Sequence, residues 1–126
     1  MIGAILVAHL IGDYLLQSHW MAVEKVNKWF PAIVHGVTYT LPFLFITQSI
    51  PALLVVCITH IIIDHYRLAK HFSWFKNQFG PKRYRVANLS NNGYDEDTPG
   101  WMSTWLMIIT DNTLHIVINI LAITYL

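Results

Sequence analysis

The stretch His60-Ile61-Ile62-Ile63-Asp64 places a histidine and an aspartate four residues apart at the end of an apolar run. Residues at this spacing lie on one face of an α-helix. Polar residues four apart also interrupt the other apolar segments, at His9 and Asp13, at His35 and Tyr39, and, in reverse order, at Asp111 and His115. Each segment is therefore predicted to be an apolar helix with one polar stripe.

The composition of the chain favours contact with lipid. Its 126 residues are 55% hydrophobic and 12% charged, whereas soluble domains average about 45–50% and about 25%. The length predicts one domain, and a net charge of +1 gives no case for nucleic acid. Cys57 is the only cysteine, which excludes an internal disulfide and a cysteine-rich zinc site. Any metal must therefore be held by histidine and carboxylate.

The apolar segments predict an all-α, polytopic membrane bundle of about four helices in a single domain, residues 1–126. The segments cover about residues 2–17, 29–47, 50–66 and 101–126, and a polar loop covers about 67–100. Pro31 suits the first turn of the second helix, and Pro42 is expected to kink it. The first segment is short for a span, since crossing a bilayer takes about 20 residues.

The basic residues predict an orientation. All eight Lys and Arg residues lie in two intervening stretches, 18–29 and 67–100. If the four segments cross, both stretches lie on one side of the bilayer, and the positive-inside rule makes that side cytoplasmic. Both termini would then lie on the opposite side of a bacterial inner membrane. The alternative is a soluble helical domain with one basic face.

The polar stripes predict a metal site. Carboxylates inside a bilayer cost several kcal/mol, and the apolar segments contain no Lys or Arg that could neutralise them. A divalent metal would supply the charge, and imidazole with carboxylate suits Zn, Mn or Fe. The predicted ligands are His9, Asp13, His35, His60, Asp64, Asp111 and His115. Four imidazoles and three carboxylates match two ions with a bridging aspartate, the alternative being one ion whose histidine ligands are oriented by the aspartates.

Two metal ions suit the hydrolysis of phosphate esters, and His60, Asp64 and Asp13 are the predicted catalytic residues. The candidate substrate contacts are polar residues near these stripes, namely Tyr39, Gln17, Arg67 and Lys70. Core packing, helix–helix contact and snorkelling cations are the ordinary explanations for such residues. The stripes are also compatible with a buried proton or ion relay, or with a hydrogen-bond network that only holds helices together.

Four sequence stretches resemble a family of small membrane proteins of unknown function from bacteria and bacteriophages. They are HLIGDYLLQSHWMA at 9–22, HGVTY at 35–39, HIIIDHYRLAK at 60–70 and DNTLH at 111–115. This group is similar, more distantly, to inner-membrane proteins described as metal-dependent hydrolases, which are related to zinc-dependent phospholipase C and to zinc nucleases. The resemblance implies zinc-dependent cleavage of a phosphate ester by the seven residues named above. The chain is far shorter than those soluble enzymes and lacks an N-terminal Trp ligand.

The sequence therefore favours an integral-membrane, metal-dependent hydrolase that acts near the cytoplasmic face. The expected substrates are lipid phosphate esters or lipid-linked nucleotides. The expected partners are the bilayer and further copies of the chain, without sequence-specific nucleic acid. The alternatives are a channel or transporter for protons or metal ions, and a non-enzymatic, phage-type membrane adaptor.

Overall fold

The structure, a computed structural model, describes residues 1–126 and contains no β-strand. The α-helices are α1 Ile2–Leu10, α2 His19–Glu24, α3 Trp29–Thr40, α4 Ile50–Tyr66, α5 Leu68–Lys76 and α6 Gly100–Tyr125. A π-helical segment, Ile11–Leu15, follows α1, and 3-10 helices cover Leu41–Phe45 and Lys82–Tyr84. The chain divides into two compact units, one of residues 1–66 with 115–126 and the other of residues 67–114.

The π-helical segment gives the first unit an unusual start. The amide of Leu16 donates to the carbonyl of Ile11, five residues back, at 3.0 Å. Such widened turns are rare and occur mostly at functional sites. Asp13 lies at the centre of this segment and is buried. The widened turn therefore sets the direction in which the Asp13 carboxylate points.

Proline limits the length of α3. Pro31 lies in its first turn, where a missing N–H leaves no hydrogen bond unmade. The helix ends at Thr40, and Pro42 lies in the 3-10 turn that follows, Leu41–Phe45. The expected kink at Pro42 is therefore a change from α-helix to 3-10 helix.

Two glycines allow the elements of the first unit to pack closely on α3. A Cβ at Gly12 would lie 2.6 Å from Tyr39 Cδ2 and 2.9 Å from the Tyr39 carbonyl oxygen. A Cβ at Gly36 would overlap the side chain of Ile61 on α4. Any larger residue at either position would push the helices apart, so these contacts hold the three polar stripes of the first unit near one another.

The apolar core of the first unit lies beside these stripes. Its fully buried members are Ile5, Tyr39, Phe43 and Val56, and Ala122 at the C-terminal part of α6 joins them. Each large side chain buried in this way contributes roughly 1.5–3 kcal/mol. Burial of this apolar cluster therefore fixes the positions of α1, α3, α4 and the end of α6 within the unit.

The second unit contains an additional helix within the predicted polar loop. Helix α5 lies within the loop predicted at about 67–100, and hydrogen bonds of polar side chains hold the segment that follows it. Asn77 Nδ2 donates to the Gly93 carbonyl at 2.9 Å, and Ser103 Oγ donates to Asn91 Oδ1 at 2.6 Å. Gly93 has a φ of +86°, a conformation that glycine adopts without strain.

The prediction of about four membrane-embedded helices is wrong. Only α6 is long and apolar enough to cross a membrane, and α4 with α5 qualifies only if the two are counted as one bent span. At 1.5 Å per residue, α3 is about 18 Å long and α4 about 26 Å, short of a hydrocarbon core of about 30 Å. The breaks at Pro42 and after Leu10 shorten helices that the hydropathy pattern made continuous. The all-α class is correct, but the polytopic bundle is not.

Candidate metal centre

Four of the predicted ligands converge in the first unit. Asp13 comes from the π-helical segment, His35 from α3, and His60 and Asp64 from successive turns of α4. All four residues are buried, and one nitrogen or oxygen from each lies within 4.8 Å of the others. This group, called the four-residue cluster below, could hold a metal ion.

The spacing of the cluster matches a tetrahedral ligand shell. His35 Nε2 lies 3.2 Å from Asp13 Oδ1 and 3.2 Å from Asp64 Oδ2. His60 Nε2 lies 3.4 Å and 3.2 Å from the same two oxygens, and the two nitrogens are 3.0 Å apart. Ligands about 2.0–2.1 Å from a tetrahedral zinc ion lie about 3.3–3.4 Å from one another. The measured separations are therefore close to those that a bound zinc ion requires.

Two further histidines contact the outer oxygens of the aspartates. His115 Nε2 donates to Asp64 Oδ1 at 3.1 Å. His9 Nδ1 lies 3.6 Å from Asp13 Oδ2. Each carboxylate thus turns one oxygen towards His35 and His60 and the other towards a flanking histidine. His9 and His115 were predicted as ligands, and their contacts suit the orientation of the carboxylates.

Tyr39 connects the cluster to the core. Its hydroxyl oxygen accepts a hydrogen bond from Asn119 Nδ2 at 2.6 Å and lies 2.8 Å from His9 Nδ1. Its ring stacks on His60, with 3.6 Å between centroids and 11° between planes. Tyr39 therefore holds two histidines in place, a positioning role that fits the packing explanation better than direct contact with substrate.

Ring packing fixes the two histidines of the cluster. Their Nδ1 atoms are buried and make no hydrogen bond, whereas a metal-binding histidine usually donates its second N–H to a carboxylate or carbonyl. His60 is instead held by the Tyr39 ring, and His35 meets His60 edge to face at a centroid distance of 4.8 Å. Aromatic contacts of this kind contribute about 0.5–1.5 kcal/mol each.

Lys25 is the residue at this site that the sequence did not reveal. Its Nζ donates to Asp64 Oδ2 at 2.5 Å, and its side chain is 16% exposed. His65 Nδ1 donates to the Lys25 carbonyl at 2.7 Å. The apolar segments lack basic residues, but Lys25 reaches Asp64 from the end of α2, in one of the two basic stretches between the apolar segments. Ser18, which caps the N-terminus of α2 by accepting from the Met21 amide, was the signal for a helix there.

The electrostatics of the cluster favour ionised carboxylates. Burial raises the pKa of Asp13, but the hydrogen bond from His35 and the field of His60 outweigh burial and bring the pKa below 3.8. Burial lowers the pKa of His35, but its hydrogen bonds to Asp13 and Asp64 bring the pKa above 6.5. Both shifts arise from the attraction between the histidines and the carboxylates, and a metal ion at the cluster would compete with a proton for the same histidine nitrogen.

The remaining predicted site residues are not members of the four-residue cluster. Gln17 Nε2 donates to the Asp13 carbonyl at 3.0 Å, and its Oε1 is buried without a hydrogen-bond partner. Arg67, Lys70 and Asp111 belong to the second unit. Asp111 is half-buried, one turn before His115 on α6, and Arg67 is exposed. Their predicted roles as ligand and substrate contacts stay predictions.

Comparison with known proteins identifies a family. No curated protein and no solved structure matches the chain. A family model of uncharacterised proteins does match the chain. This match agrees with the resemblance to proteins of unknown function, but it supports neither membrane proteins nor hydrolases as relatives. The family model described as "Protein of unknown function (DUF3307)" matches residues 1–126, and the chain belongs to that family.

Proposed function

We propose that the four-residue cluster binds one divalent metal ion and that zinc is its natural occupant. The observation that carries this proposal is the set of nitrogen–oxygen and nitrogen–nitrogen separations, all between 3.0 and 3.4 Å. Two imidazoles with two carboxylates form a neutral complex with a divalent ion, so the buried charge is compensated. Zinc accepts four such ligands, whereas magnesium and calcium prefer six or more oxygens.

The activity we propose for this centre is hydrolysis of a phosphate ester, such as a lipid head group or a nucleotide. A divalent ion held by these four residues would have to take water or a phosphoryl oxygen as an added ligand, as zinc does when it expands its coordination, and would polarise it there. The side chains of His35 and His60 are at most 1% exposed, while that of Asp13 is 10% exposed. Water and substrate would therefore approach on the carboxylate side. His9 and His115 would hold the outer carboxylate oxygens during the reaction.

Metal content tests the first part of this proposal. Elemental analysis of the purified protein, without chelator, is expected to give about one zinc per chain. Asp13→Asn and His60→Ala are expected to lose it, because each removes one ligand. The matched controls are Asp97→Asn and His71→Ala, which change exposed residues of the same types. Equal zinc in the cluster variants and the controls would refute the site.

Turnover tests the second part. Release of phosphate or of a head group from a panel of phospholipids and nucleotides is measured for the zinc-loaded protein. We expect turnover that is lost in His60→Ala and kept in His71→Ala. Zinc binding without turnover of any phosphate ester would leave a metal centre and refute the hydrolase.

We also propose a membrane location, supported by the surface of α6. Except at Thr113, a large apolar residue lies at every fourth position along this helix from Trp101, and these residues are 49–78% exposed, namely Trp101, Trp105, Ile109, Val117, Leu121 and Tyr125. Exposed apolar stripes of this kind are typical of surfaces that contact lipid or protein. The test is extraction of cell membranes with alkaline carbonate, in which an embedded protein stays in the pellet. Quantitative release into the supernatant would refute the location.

A proton relay is the second candidate, because polar contacts continue from the cluster through His9 and Tyr39 to Asn119. Beyond Asn119 the neighbouring core is apolar and includes Phe43 and Ala122. A relay predicts proton uptake into vesicles that Tyr39→Phe abolishes, and the hydrolase does not.

A further inference from the structure

We propose that Lys25 is the anion-binding residue of the metal centre, so that the centre takes a substrate with a phosphoryl or similar anionic group. This inference rests on the proposed metal site and names the group that its ligand must carry. The observation behind it is the contact of an ammonium group with the same Asp64 oxygen, Oδ2, that faces both ligand histidines.

The position of Lys25 is fixed from two directions. Asp64 accepts from its side-chain Nζ, and the next residue, His65, donates from Nδ1 to its main-chain carbonyl. His65 is itself held by stacking on Trp29, with 3.9 Å between ring centroids. A surface lysine usually samples many rotamers, and ordering its side chain costs up to about 2 kcal/mol. Here the contact with Asp64 restrains the side chain and the contact with His65 restrains the main chain, so the ammonium is held at one place.

Lys25 is more exposed than the aspartate that it contacts. Its side chain is 16% exposed, whereas that of Asp64 is 5% exposed. An anion from solvent can therefore reach the Lys25 side chain more readily than it can reach Asp64. The neighbouring basic residue, Lys28, forms its ion pair with Glu24 and has a side chain that is 67% exposed. Among the described contacts, Lys25 is the basic residue that reaches the cluster.

The charge of Lys25 favours an anionic ligand. Asp13 and Asp64 carry two negative charges, which a divalent ion held with two neutral imidazoles would balance. The ammonium of Lys25 adds one positive charge beside Asp64 Oδ2. Lysine is a common phosphate-binding residue that acts as a point charge. A phosphoryl oxygen could therefore contact both the metal ion and Nζ.

Before metal enters, the same ammonium partly neutralises the aspartates. The metal ion must then compete with Lys25 for Asp64 Oδ2. This predicts opposite effects of one substitution. Lys25→Met is expected to bind zinc more tightly, by about tenfold or more, because a competing and repelling cation is removed. The same variant is expected to bind phosphate more weakly, by about tenfold or more, because a charge-assisted hydrogen bond is lost.

The experiment uses the full chain loaded with cobalt(II), whose visible absorption reports changes in its ligands. Inorganic phosphate is titrated into the wild type, Lys25→Met, Lys25→Arg and Lys28→Met. We expect a saturable spectral change in the wild type, near-normal affinity in Lys25→Arg and Lys28→Met, and the loss described above in Lys25→Met. The affinity for zinc is measured for each variant by competition with a chelator.

Each outcome decides a different point. If the wild type binds no metal, the proposed metal site fails and this inference fails with it. If metal binds but phosphate does not, or if Lys25→Met binds phosphate as the wild type does, the metal site stands and the role of Lys25 is refuted. Opposite shifts in zinc and phosphate affinity in Lys25→Met support it, because misfolding would weaken both.

Discussion

Replacing Gly12 by alanine is expected to weaken metal binding without changing any ligand. The added Cβ would lie 2.6 Å from Tyr39 Cδ2 and 2.9 Å from the Tyr39 carbonyl oxygen, where ordinary contact begins at 3.4 Å. The π-helical segment must therefore move away from α3 by about 0.5–0.8 Å. Asp13 is the next residue in the chain and would move with it.

The size of this movement sets the expected effect. Asp13 Oδ1 lies 3.2 Å from His35 Nε2 and 3.4 Å from His60 Nε2. Metal–ligand distances tolerate about 0.2 Å, so a displacement several times larger should reduce zinc affinity by roughly ten- to a hundredfold, as disturbed supporting contacts do. Overpacking costs about 1–3 kcal/mol of unfolding free energy, offset by about 1 kcal/mol from the higher helix propensity of alanine.

The assay is zinc affinity by competition with a chelator, together with urea denaturation of the metal-free protein. Gly3→Ala is the matched control, because a Cβ at Gly3 in α1 has nothing within 4 Å. We expect Gly3→Ala to keep its zinc affinity and to gain up to about 1 kcal/mol of stability. Wild-type zinc affinity in Gly12→Ala would refute the argument that this close contact positions Asp13.

Three further predictions follow from the contacts around the cluster. In His115→Ala, zinc affinity measured by competition should fall about ten- to a hundredfold, because Asp64 loses the hydrogen bond on its outer oxygen. One ion should still bind at saturation. Unchanged affinity would contradict this role of His115. Tyr39→Phe should lower the free energy of unfolding by about 1–3 kcal/mol in urea titrations, because the buried Asn119 amide loses its acceptor, and a loss below about 0.5 kcal/mol would contradict it. The pKa of Asp13 lies below 3.8 in the folded protein. Its ionised form therefore contributes stability above pH 3.8, and this contribution is lost as the pH falls through the pKa of the folded protein. The urea midpoint of the metal-free protein should therefore drop on acidification, and by less in Asp13→Asn.

Helical spacing in the sequence accounts for one pair of residues in the four-residue cluster. His60 and Asp64 share a helical face because their spacing requires it, and the scarcity of nearby cations in the apolar runs indicated that something must compensate the charge. The sequence suggested that Asp13 and His35 approach that pair, but it could not show where they meet it. The meeting point depends on the close contacts at Gly12 and Gly36 and on the Tyr39 ring between the helices. Those contacts are tertiary and leave no periodic pattern.

The hydropathy pattern failed to predict where the first two apolar helices end, for a related reason. Apolar runs at 2–17 and 29–47 look uniform by composition, yet the first changes to a π-helical turn after Leu10 and the second to a 3-10 turn at Leu41. Lys25 was missed because it lies outside the apolar runs, and only the turn of the chain after α2 brings it to Asp64. A search for counter-ions confined to the same segments could not find it.

The π-helical turn at Ile11–Leu15 has a consequence for sequence length. A turn of this type contains one residue more than an α-helical turn, so it can be abolished by deleting a single residue. Such a deletion would close the turn to 3.6 residues and rotate the preceding helix by about 100° relative to Asp13. The faces of α1 that carry Ile5 and His9 would then leave the core and the Asp13 carboxylate. The number of residues in the first fifteen positions therefore matters to the geometry of the four-residue cluster as much as the side chains do, and an insertion or deletion there should be tolerated less well than most substitutions.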